Sequence, residues 1–427
     1  MSSQYDQTDN DNNDIFTMEE GSGIYEFTWP NLNISARVER LKDNSDNELR
    51  GEIWVESQRP NSAGHVKQGR VILTSPTSRN QFAKALSTRD AEVDWDQIVE
   101  QLAIAVIQDW REGIPAVEIT GQVAPAEAAR WLIYPLVQMG NPTLIYGKGS
   151  SGKSWLAQYL SVLVHEGMDT GGLTVDKAKV LYLDWETDQH EIITRISMIR
   201  KGLGLSTTNV APGLVYKPMT QGLAADINTV KTIVKERDIH FVILDSLGSA
   251  CMGEPESAEV VLRMFSALRS LGVSSLCVDH TNHEGRLFGS VYKFNSARQI
   301  FEAKKSQAED ESRLEFAMFH RKANNSKLIK PLGWVLNFDN QDHSTTLTRR
   351  DVRDTKLETE MRMADRISNA LREGKRTVSE LADLLEKTQS HISKELAIHK
   401  NQFVKLPDGT YANRARSPED GTDKWEL

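Results

Sequence analysis

The sequence predicts an α/β protein with a mainly parallel sheet, a small α+β domain before it and a winged helix-turn-helix after it. Residues 124–350 alternate apolar, strand-like runs with amphipathic helical stretches, which indicates a parallel sheet covered by helices. Residues 23–77 show the apolar–polar alternation of strands, and residues 361–416 contain three short helical segments followed by a hairpin pattern.

The composition is that of a globular protein. The chain has 427 residues, of which 39% are hydrophobic and 26% charged, enough for two or three domains. No apolar run approaches the roughly 20 residues that a membrane span needs, and the N-terminus lacks the pattern of a signal peptide. The two cysteines, Cys251 and Cys277, form no CxxC pair, which argues against a zinc site or a disulfide framework. We therefore expect a cytoplasmic protein without a membrane partner.

Charge is distributed unevenly along the chain, whose formal net charge is −9. Residues 1–22 are acidic and rich in Asn and Asp, which predicts a disordered tail; a solubilising role is favoured over competition with DNA for a basic site. Residues 361–416 carry eleven Lys or Arg against seven Asp or Glu. Local clusters of charged residues are thus a better guide to DNA binding than the sign of the net charge.

Residues 23–120 predict a small α+β domain. Strand patterns occupy 24–29, 51–56 and 69–74, and turn-forming residues separate them. Residues 78–111 place apolar side chains at helical spacing. This region contains no chemical motif, so the sequence leaves its role open.

The most specific motif begins at Gly147 and fills the pattern G-x-x-x-x-G-K-[ST] completely. A strand-like run precedes it and a helical pattern follows, the context in which such a loop cradles phosphate with its backbone N–H groups. Lys153 is predicted to reach the β- and γ-phosphates of ATP, and Ser154 to bind Mg²⁺. The residues predicted to hold the nucleotide are Gly147, Gly149, Ser150, Ser151, Gly152, Lys153, Ser154 and Trp155.

Three further strand patterns end in polar residues. The run 239–244 leads to Asp245, which is predicted to hold the Mg²⁺ shell. The run 180–183 leads to two acids, of which Glu186 is the first choice and Asp184 the second for the base that activates water. The third run, 274–278, precedes His280, which is predicted to sense the γ-phosphate.

Together these motifs resemble the RecA-like ATPases and, within them, the RepA-type hexameric helicases of plasmids and phages. The resemblance covers residues 124–333. Beyond the phosphate-binding loop it rests on Trp185-Glu186 with Arg195, Asp245-Ser246, Asp279-His280-Thr281, Gly289-Ser290 and Ala297-Arg298. It implies a RecA-like P-loop ATPase core, Glu186 as catalytic glutamate, and ATP sites between the subunits of a ring, with a hexamer favoured.

The same resemblance implies that a basic residue of the neighbouring subunit completes each ATP site as a finger. Arg321 and Lys322 are similar to the basic pair that such proteins carry late in the core, and they are the first candidates. Arg298 is the next candidate.

Two segments are predicted to contact DNA. Residues 282–295 lie where RecA-like rings place a DNA-contacting loop, and Arg286 and Lys293 alternate there with aromatic residues suited to single strands. In the C-terminal domain, Thr377 and Glu380 form a capping box pattern, and Thr388 or Ser390 would cap the third helix. The residues predicted at the front of this recognition helix are Gln389, His391 and Lys394.

The leading functional hypothesis is a DNA-dependent ATPase, namely a ring-forming helicase or replication ATPase of a mobile element that acts on single-stranded DNA. The main alternative is an ATP-switched regulator that binds duplex DNA without motor activity. A recombinase-type filament and a small-molecule kinase follow; the kinase fits poorly because it needs no C-terminal DNA-binding module.

Overall fold

The first unit of the protein is an antiparallel sheet with two helices on one face. The structure is a computed structural model that describes residues 16–21, 23–43, 48–113, 116, 118, 130–306, 312–324 and 326–414. Its first elements are β1 (Thr17–Gly21), β2 (Ile24–Trp29), β3 (Ile34–Asp43), β4 (Leu49–Ser57), β5 (Gly64–Ile72), α1 (Pro76–Ser87) and α2 (Trp95–Glu112). The strands pair in chain order, and their inward side chains bury Trp29 and Trp95 in one core.

The prediction of a disordered tail through residue 22 is wrong for residues 17–21, which form β1. This edge strand pairs with β2 through the full register from Thr17 to Gly21. Met18 is buried, and the ring of Phe16 lies 5.7 Å from that of Phe27. Backbone pairing and these two apolar residues hold a segment whose composition alone is too polar for a strand. Residues 1–15 and 22 lie outside the described ranges.

The central unit is a sheet covered by helices on both faces. Its elements are β6 (Trp131–Tyr134), β7 (Val137–Gln138), β8 (Pro142–Gly147), α3 (Lys153–Glu166), β9 (Thr174–Val175), β10 (Val180–Asp184), α4 (Gln189–Gly202), β11 (Leu214–Pro218), α5 (Leu223–Glu236), β12 (Phe241–Asp245), α6 (Leu247–Cys251), α7 (Ala258–Arg269), β13 (Ser274–His280), α8 (Val291–Ser296), β14 (Gln299–Ser306), β15 (Arg313–Ala323), β16 (Leu332–Asp339) and β17 (Ser344–Arg350).

The nine-stranded sheet has the order β11-β10-β12-β13-β8-β14-β15-β16-β17. The strands from β11 to β14 in this order are parallel, and the last three extend the sheet in antiparallel fashion. Alternate residues of each buried strand face two separate apolar cores, one on each side of the sheet. This is the predicted RecA-like P-loop ATPase fold with a mainly parallel sheet.

The C-terminal unit is a small winged helix-turn-helix-like domain. It contains α9 (Met363–Ala370), α10 (Val378–Leu384), α11 (Gln389–Ile398), β18 (Phe403–Lys405) and β19 (Tyr411–Asn413). The structure contains the predicted capping box of Thr377 and Glu380, and Thr388 rather than Ser390 caps α11. Within the described residues, no helix combines the length and apolar character of a membrane span.

The predicted domain boundaries at 120, 124 and 416 fall on residues outside the described ranges, so they stay predictions. Between the central sheet and α9 the chain forms two short 3-10 helices, Val352–Asp354 and Lys356–Glu360. Leu357 packs with Phe319 of β15, and Glu360 accepts a hydrogen bond from Lys304 of β14 at 2.6 Å. The connection to the C-terminal domain is therefore attached to the central sheet.

His320 is a buried, neutral side chain of β15. Its ring stacks on Phe301 with centroids 4.4 Å apart. Nδ1 accepts a hydrogen bond from the Ile329 backbone N–H, so Nε2 carries the proton and donates to Gln299 Oε1 at 2.6 Å. Burial lowers the pKa of His320 from 6.5 to about 4.

The first prediction concerns acid stability. Because the unfolded chain protonates His320 near pH 6.5 and the folded chain only near pH 4, its stabilising effect is complete above pH 6.5 and disappears as the pH falls to 4. The expected loss in the free energy of unfolding is about 3 kcal/mol. Denaturant unfolding of the wild type and of His320→Gln should give free energies of unfolding whose difference narrows as the pH falls from 6.5 to 4. Substitution of the exposed His283 by Gln should preserve the wild-type pH dependence, and a gap independent of pH would contradict the assignment.

Candidate nucleotide site

The candidate site lies at the carboxyl edge of the parallel strands. His280 of β13 is paired with Gly147 of β8, and Asp184 of β10 is paired with Asp245 of β12. Parallel strands that are aligned in this way place the loops that follow them at one edge of the sheet. The four segments in which the sequence predicts chemistry therefore converge.

The phosphate-binding loop has the backbone that its glycines permit. A Cβ atom on Gly147 would lie 2.3 Å from the carbonyl oxygen of Ala303 in β14, so only glycine fits there. Gly152 has φ +84° and Ser150 has φ 56°, values that glycine adopts readily and other residues rarely. By contrast, a Cβ atom on Gly149 would meet nothing within 4 Å. The loop is thus tight at its two ends and open between them.

Lys153 bends back over this loop. It is 4% exposed, and its ammonium donates to the carbonyl oxygens of Gly147 at 3.0 Å and Lys148 at 2.9 Å. Burial lowers the pKa of Lys153, and the carboxylates of Asp245, Glu186 and Asp279 oppose this effect. The ammonium is consequently placed where phosphate oxygens can replace carbonyl groups of the loop.

Asp245 offers one free carboxylate oxygen beside the loop. Its side chain is 4% exposed, and Oδ2 accepts a hydrogen bond from the Tyr182 hydroxyl at 2.7 Å. Oδ1 is buried and accepts no hydrogen bond from any residue in the described ranges. Burial raises the pKa of Asp245, and the hydroxyls of Tyr182 and Ser154 act in the opposite direction.

Asp184 and Glu186 have different roles. Asp184 is buried, and its Oδ1 accepts the backbone N–H groups of Glu186 at 2.9 Å and Thr187 at 3.2 Å. Its Oδ2 accepts the Thr187 hydroxyl. Asp184 thus shapes the loop after β10, whereas the side chain of Glu186 is 38% exposed. This arrangement favours Glu186 over Asp184 as the base.

Glu186 is in contact with His280, which follows Asp279 at the end of β13. Glu186 Oε1 lies 3.3 Å from His280 Nε2. The hydrogen bond from His280 is the main reason that the pKa of Glu186 lies below its usual value; the positive charge of Lys153 contributes less. The structure brings together the predicted base and the predicted sensor of the γ-phosphate.

The predicted DNA-contacting loop begins directly after His280. The side chain of Arg286 is 82% exposed, and Phe288 and Tyr292 are 41% and 40% exposed. Phe294 instead packs against an apolar core of the sheet. Arg286 and two aromatic rings are thus available at the surface.

The prediction that Lys293 contacts DNA is wrong for this conformation. Lys293 is 1% exposed, and its ammonium lies 2.8 Å from Oδ2 of Asp279, which is equally buried. The other oxygen of Asp279 accepts the backbone N–H of His280. A cation enclosed in this way attaches α8 to the end of β13 and does not reach a phosphate of DNA.

The three finger candidates also differ. Arg321 donates to Glu302 through Nε at 2.8 Å, and Lys322 donates to the carbonyl oxygens of Phe294, Asn295 and Ala297. Arg298 is exposed, and its side chain makes no ion pair within the described ranges. Arg321 and Lys322 therefore have intramolecular partners, whereas Arg298 is exposed, and the finger role of each of the three residues stays a prediction.

Trp155 lies in the first turn of α3. The ring packs against Phe338 with centroids 5.0 Å apart, and the Arg195 guanidinium lies 5.0 Å from its centroid. A role in nucleotide binding stays a prediction. Sequence reasoning missed Tyr182, although its position two residues before Asp184 places both on the same face of the strand.

The C-terminal domain presents the predicted recognition helix α11 at the surface. Gln389, His391 and Lys394 are all exposed at or near its start. Gln389 also donates to the Ser379 hydroxyl of α10 at 3.2 Å, which links the two helices. DNA contact by these residues stays a prediction that this exposure permits.

Comparisons with known proteins identify two regions. A family model described as an AAA domain matches residues 109–286, and one described as a bacterial regulatory protein of the arsR family matches residues 366–401. Among solved structures, a KaiC-like protein from the hyperthermophilic archaeon Pyrococcus horikoshii OT3 is similar, with 13% identity and a TM-score of 0.38 over 51% of this chain and 94% of that one. No curated protein matches the chain. The chain combines an ATPase-type nucleotide-binding domain with a helix-turn-helix domain of the DNA-binding type, which confirms these two coarser predictions.

The second prediction tests the buried ion pair. Lys293→Met should lower the free energy of unfolding by about 3–5 kcal/mol, because it leaves the Asp279 carboxylate buried without its cation. The exposed Arg286 provides the matched control, since Arg286→Ala should change stability by only about 0.5 kcal/mol or less. Denaturant unfolding measures both values. Equal stabilities of the two variants would restore Lys293 as a candidate for DNA contact.

Proposed function

We propose that this chain is a Mg²⁺-dependent ATPase that acts on single-stranded DNA as a helicase or replication ATPase. The observation that carries the proposal is the contact between Glu186 and His280 beside Lys153. It places a candidate base, a candidate phosphate sensor and the phosphate-binding loop together. The exposed loop with Arg286 continues directly from His280, so the groups suited to ATP and to DNA are neighbours along the chain.

The residues present fit Mg²⁺. The ion prefers hard oxygen ligands and keeps several waters, so one carboxylate and one hydroxyl next to a phosphate suffice. Asp245 Oδ1 and the Ser154 hydroxyl would hold it, and the lack of a hydrogen-bond partner for buried Oδ1 within the described ranges agrees with that role. When bound, the ion would neutralise charge on the β- and γ-phosphates.

The protein groups would divide the work of hydrolysis as follows. The ammonium of Lys153 exchanges its carbonyl partners for phosphate oxygens. Glu186 is ionised at neutral pH, since His280 holds its pKa below the usual value. Its carboxylate orients the attacking water and accepts a proton from it. The contact between His280 and Glu186 would depend on whether the γ-phosphate is present. The loop that follows His280 contains Arg286 and would move with it.

The subunits would assemble into a ring, with a hexamer favoured, as the resemblance to RepA-type helicases implies. In such a ring the finger comes from the neighbouring subunit. Arg298 supports this assignment best because it is exposed, whereas Arg321 and Lys322 would first have to leave their partners. Burial and the nearby charge of Arg298 lower the pKa of Lys322, which further reduces its suitability.

A second candidate function is an ATP-switched regulator without motor activity. The exposure of Gln389, His391 and Lys394 on α11 favours it, because such a helix front suits the major groove of duplex DNA. The burial of Lys293 also removes one of the two cations predicted for the single-strand loop. Both functions use the same ATP site and differ in which DNA changes the rate of turnover.

The third prediction concerns ATP turnover with and without single-stranded DNA. DNA should accelerate turnover, and Lys153→Ala should abolish it. Glu186→Gln should lower kcat by about 100-fold or more, since the base is lost, while nucleotide binding persists. Arg286→Ala should reduce the stimulation by DNA, whereas Arg237→Ala, a matched change after α5 at the amino edge of the sheet, should not.

Turnover that is sensitive to Lys153→Ala but indifferent to single strands would contradict the helicase proposal. It would favour the regulator if duplex binding were present and were lost in Lys394→Ala. A strand-separation assay on the wild type then distinguishes a motor from an ATPase that is only stimulated by DNA.

The fourth prediction concerns the finger. Arg298→Ala and Lys153→Ala should each be inactive alone, but their mixture should regain part of the ATPase activity. In a mixed ring, some sites combine an intact phosphate-binding loop from one variant with an intact Arg298 from the other. A mixture that stays inactive, although both variants co-assemble, would exclude Arg298 as a finger acting between subunits.

A further inference from the structure

Tyr182 makes an unusual contact below the nucleotide site. It is 2% exposed on β10, and its hydroxyl donates to Asp245 Oδ2 at 2.7 Å. Asp184, two residues further along β10, is paired with Asp245 of the neighbouring strand. Side chains two residues apart share a face of a strand, so Tyr182 and Asp245 lie on the face covered by α3.

This contact distinguishes the two oxygens of Asp245. Oδ2 is occupied by the Tyr182 hydroxyl, whereas Oδ1 is buried without a hydrogen-bond partner among the described residues. A carboxylate that is held by one oxygen has lost most of its freedom to rotate about its last bond. The hydroxyl of Ser154, in the first turn of α3, lies beside the same carboxylate.

A buried tyrosine does not need a carboxylate partner. Tyr159 is 1% exposed in the same core, and the backbone of Leu347 lies beside its hydroxyl. Tyr182 could equally have been satisfied by a carbonyl group, since buried hydroxyl groups require a partner but not a charged one. Its hydroxyl instead contacts the side chain that is suited to the metal. The buried amide of Gln158, one turn after Ser154 on α3, lies beside the same hydroxyl.

We propose that Tyr182 is a positioning residue for the metal: it holds Asp245 through Oδ2 so that Oδ1 alone is presented to Mg²⁺. The inference rests on the proposed function, because it requires Mg²⁺ and nucleotide at this site. Residues that orient a metal ligand through a hydrogen bond commonly change metal affinity by about 10–100-fold when they are removed. Tyr182 is buried and contacts Asp245, so any such effect on the metal would pass through that carboxylate.

The test measures binding of a fluorescent ATP analogue to the full-length chain, once with Mg²⁺ and once with EDTA. The ratio of the two dissociation constants is the gain in affinity that Mg²⁺ provides. Tyr182→Phe should bind the analogue in EDTA as the wild type does, but its Mg²⁺ gain should fall by about tenfold or more. Tyr159→Phe removes an equally buried hydroxyl from the same core and should keep the full gain.

A double-mutant cycle with Asp245→Asn shows whether Tyr182 affects the Mg²⁺ gain through Asp245. If Tyr182 acts through Asp245, the Tyr182→Phe change should lower the Mg²⁺ gain in the wild type but not in Asp245→Asn. A full gain in Tyr182→Phe, or an equal loss in both backgrounds, would overturn the positioning role and leave the ATP site intact. By contrast, a wild-type chain that gains no affinity from Mg²⁺ would refute the proposed function and this inference with it.

Misfolding is recognised by lost affinity in EDTA. If Tyr182→Phe misfolds, Tyr182→Met replaces it, since this change also removes the hydroxyl that donates to Asp245. A reduced Mg²⁺ gain with normal binding in EDTA supports the proposal, and an unchanged gain overturns it.

Discussion

The candidate site depends on the alignment of the parallel strands around β8. Gly147 at the end of β8 lies opposite His280 of β13 on one side and Ala303 of β14 on the other. The space at Gly147 is so narrow that an added Cβ atom would collide with the Ala303 carbonyl. If this alignment shifted by one residue, His280 would leave Glu186 and the phosphate-binding loop would lose the wall on which it rests.

Much of the fold and half of the site could be predicted because the relevant signals are local. The motif from Gly147 to Ser154 is contiguous, and its strand and helix are marked by apolar periodicity on either side. The strand ends at Asp245 and His280 were equally visible, since parallel strands must place such ends at one edge. Their convergence follows from topology and requires no knowledge of side-chain packing.

The rest of the site could not be predicted, because it depends on which side chains are buried, and residue type alone does not indicate burial. Lys293 is as basic in sequence as Arg286, and only the folding of the loop encloses one and exposes the other. Its partner Asp279 precedes it by fourteen positions and lies in β13 rather than in α8, so no periodicity within one helix or strand predicts the pair. Likewise, β1 was concealed because the composition of residues 1–22 is acidic, whereas its stability comes from backbone pairing with β2.

Two aspartates at the same edge show how hydrogen-bond partners separate structure from chemistry. Asp279 and Asp245 are 1% and 4% exposed and end adjacent strands. Both oxygens of Asp279 are satisfied, by Lys293 and by the backbone N–H of His280, so its charge is neutralised within the protein. Asp245 has a neutral phenol on one oxygen and no hydrogen bond from the described residues on the other. A buried carboxylate left in that condition is costly, and a cation bound at its free oxygen would remove that cost. The same residue type therefore stabilises the sheet in one strand and is suited to bind Mg²⁺ in the next.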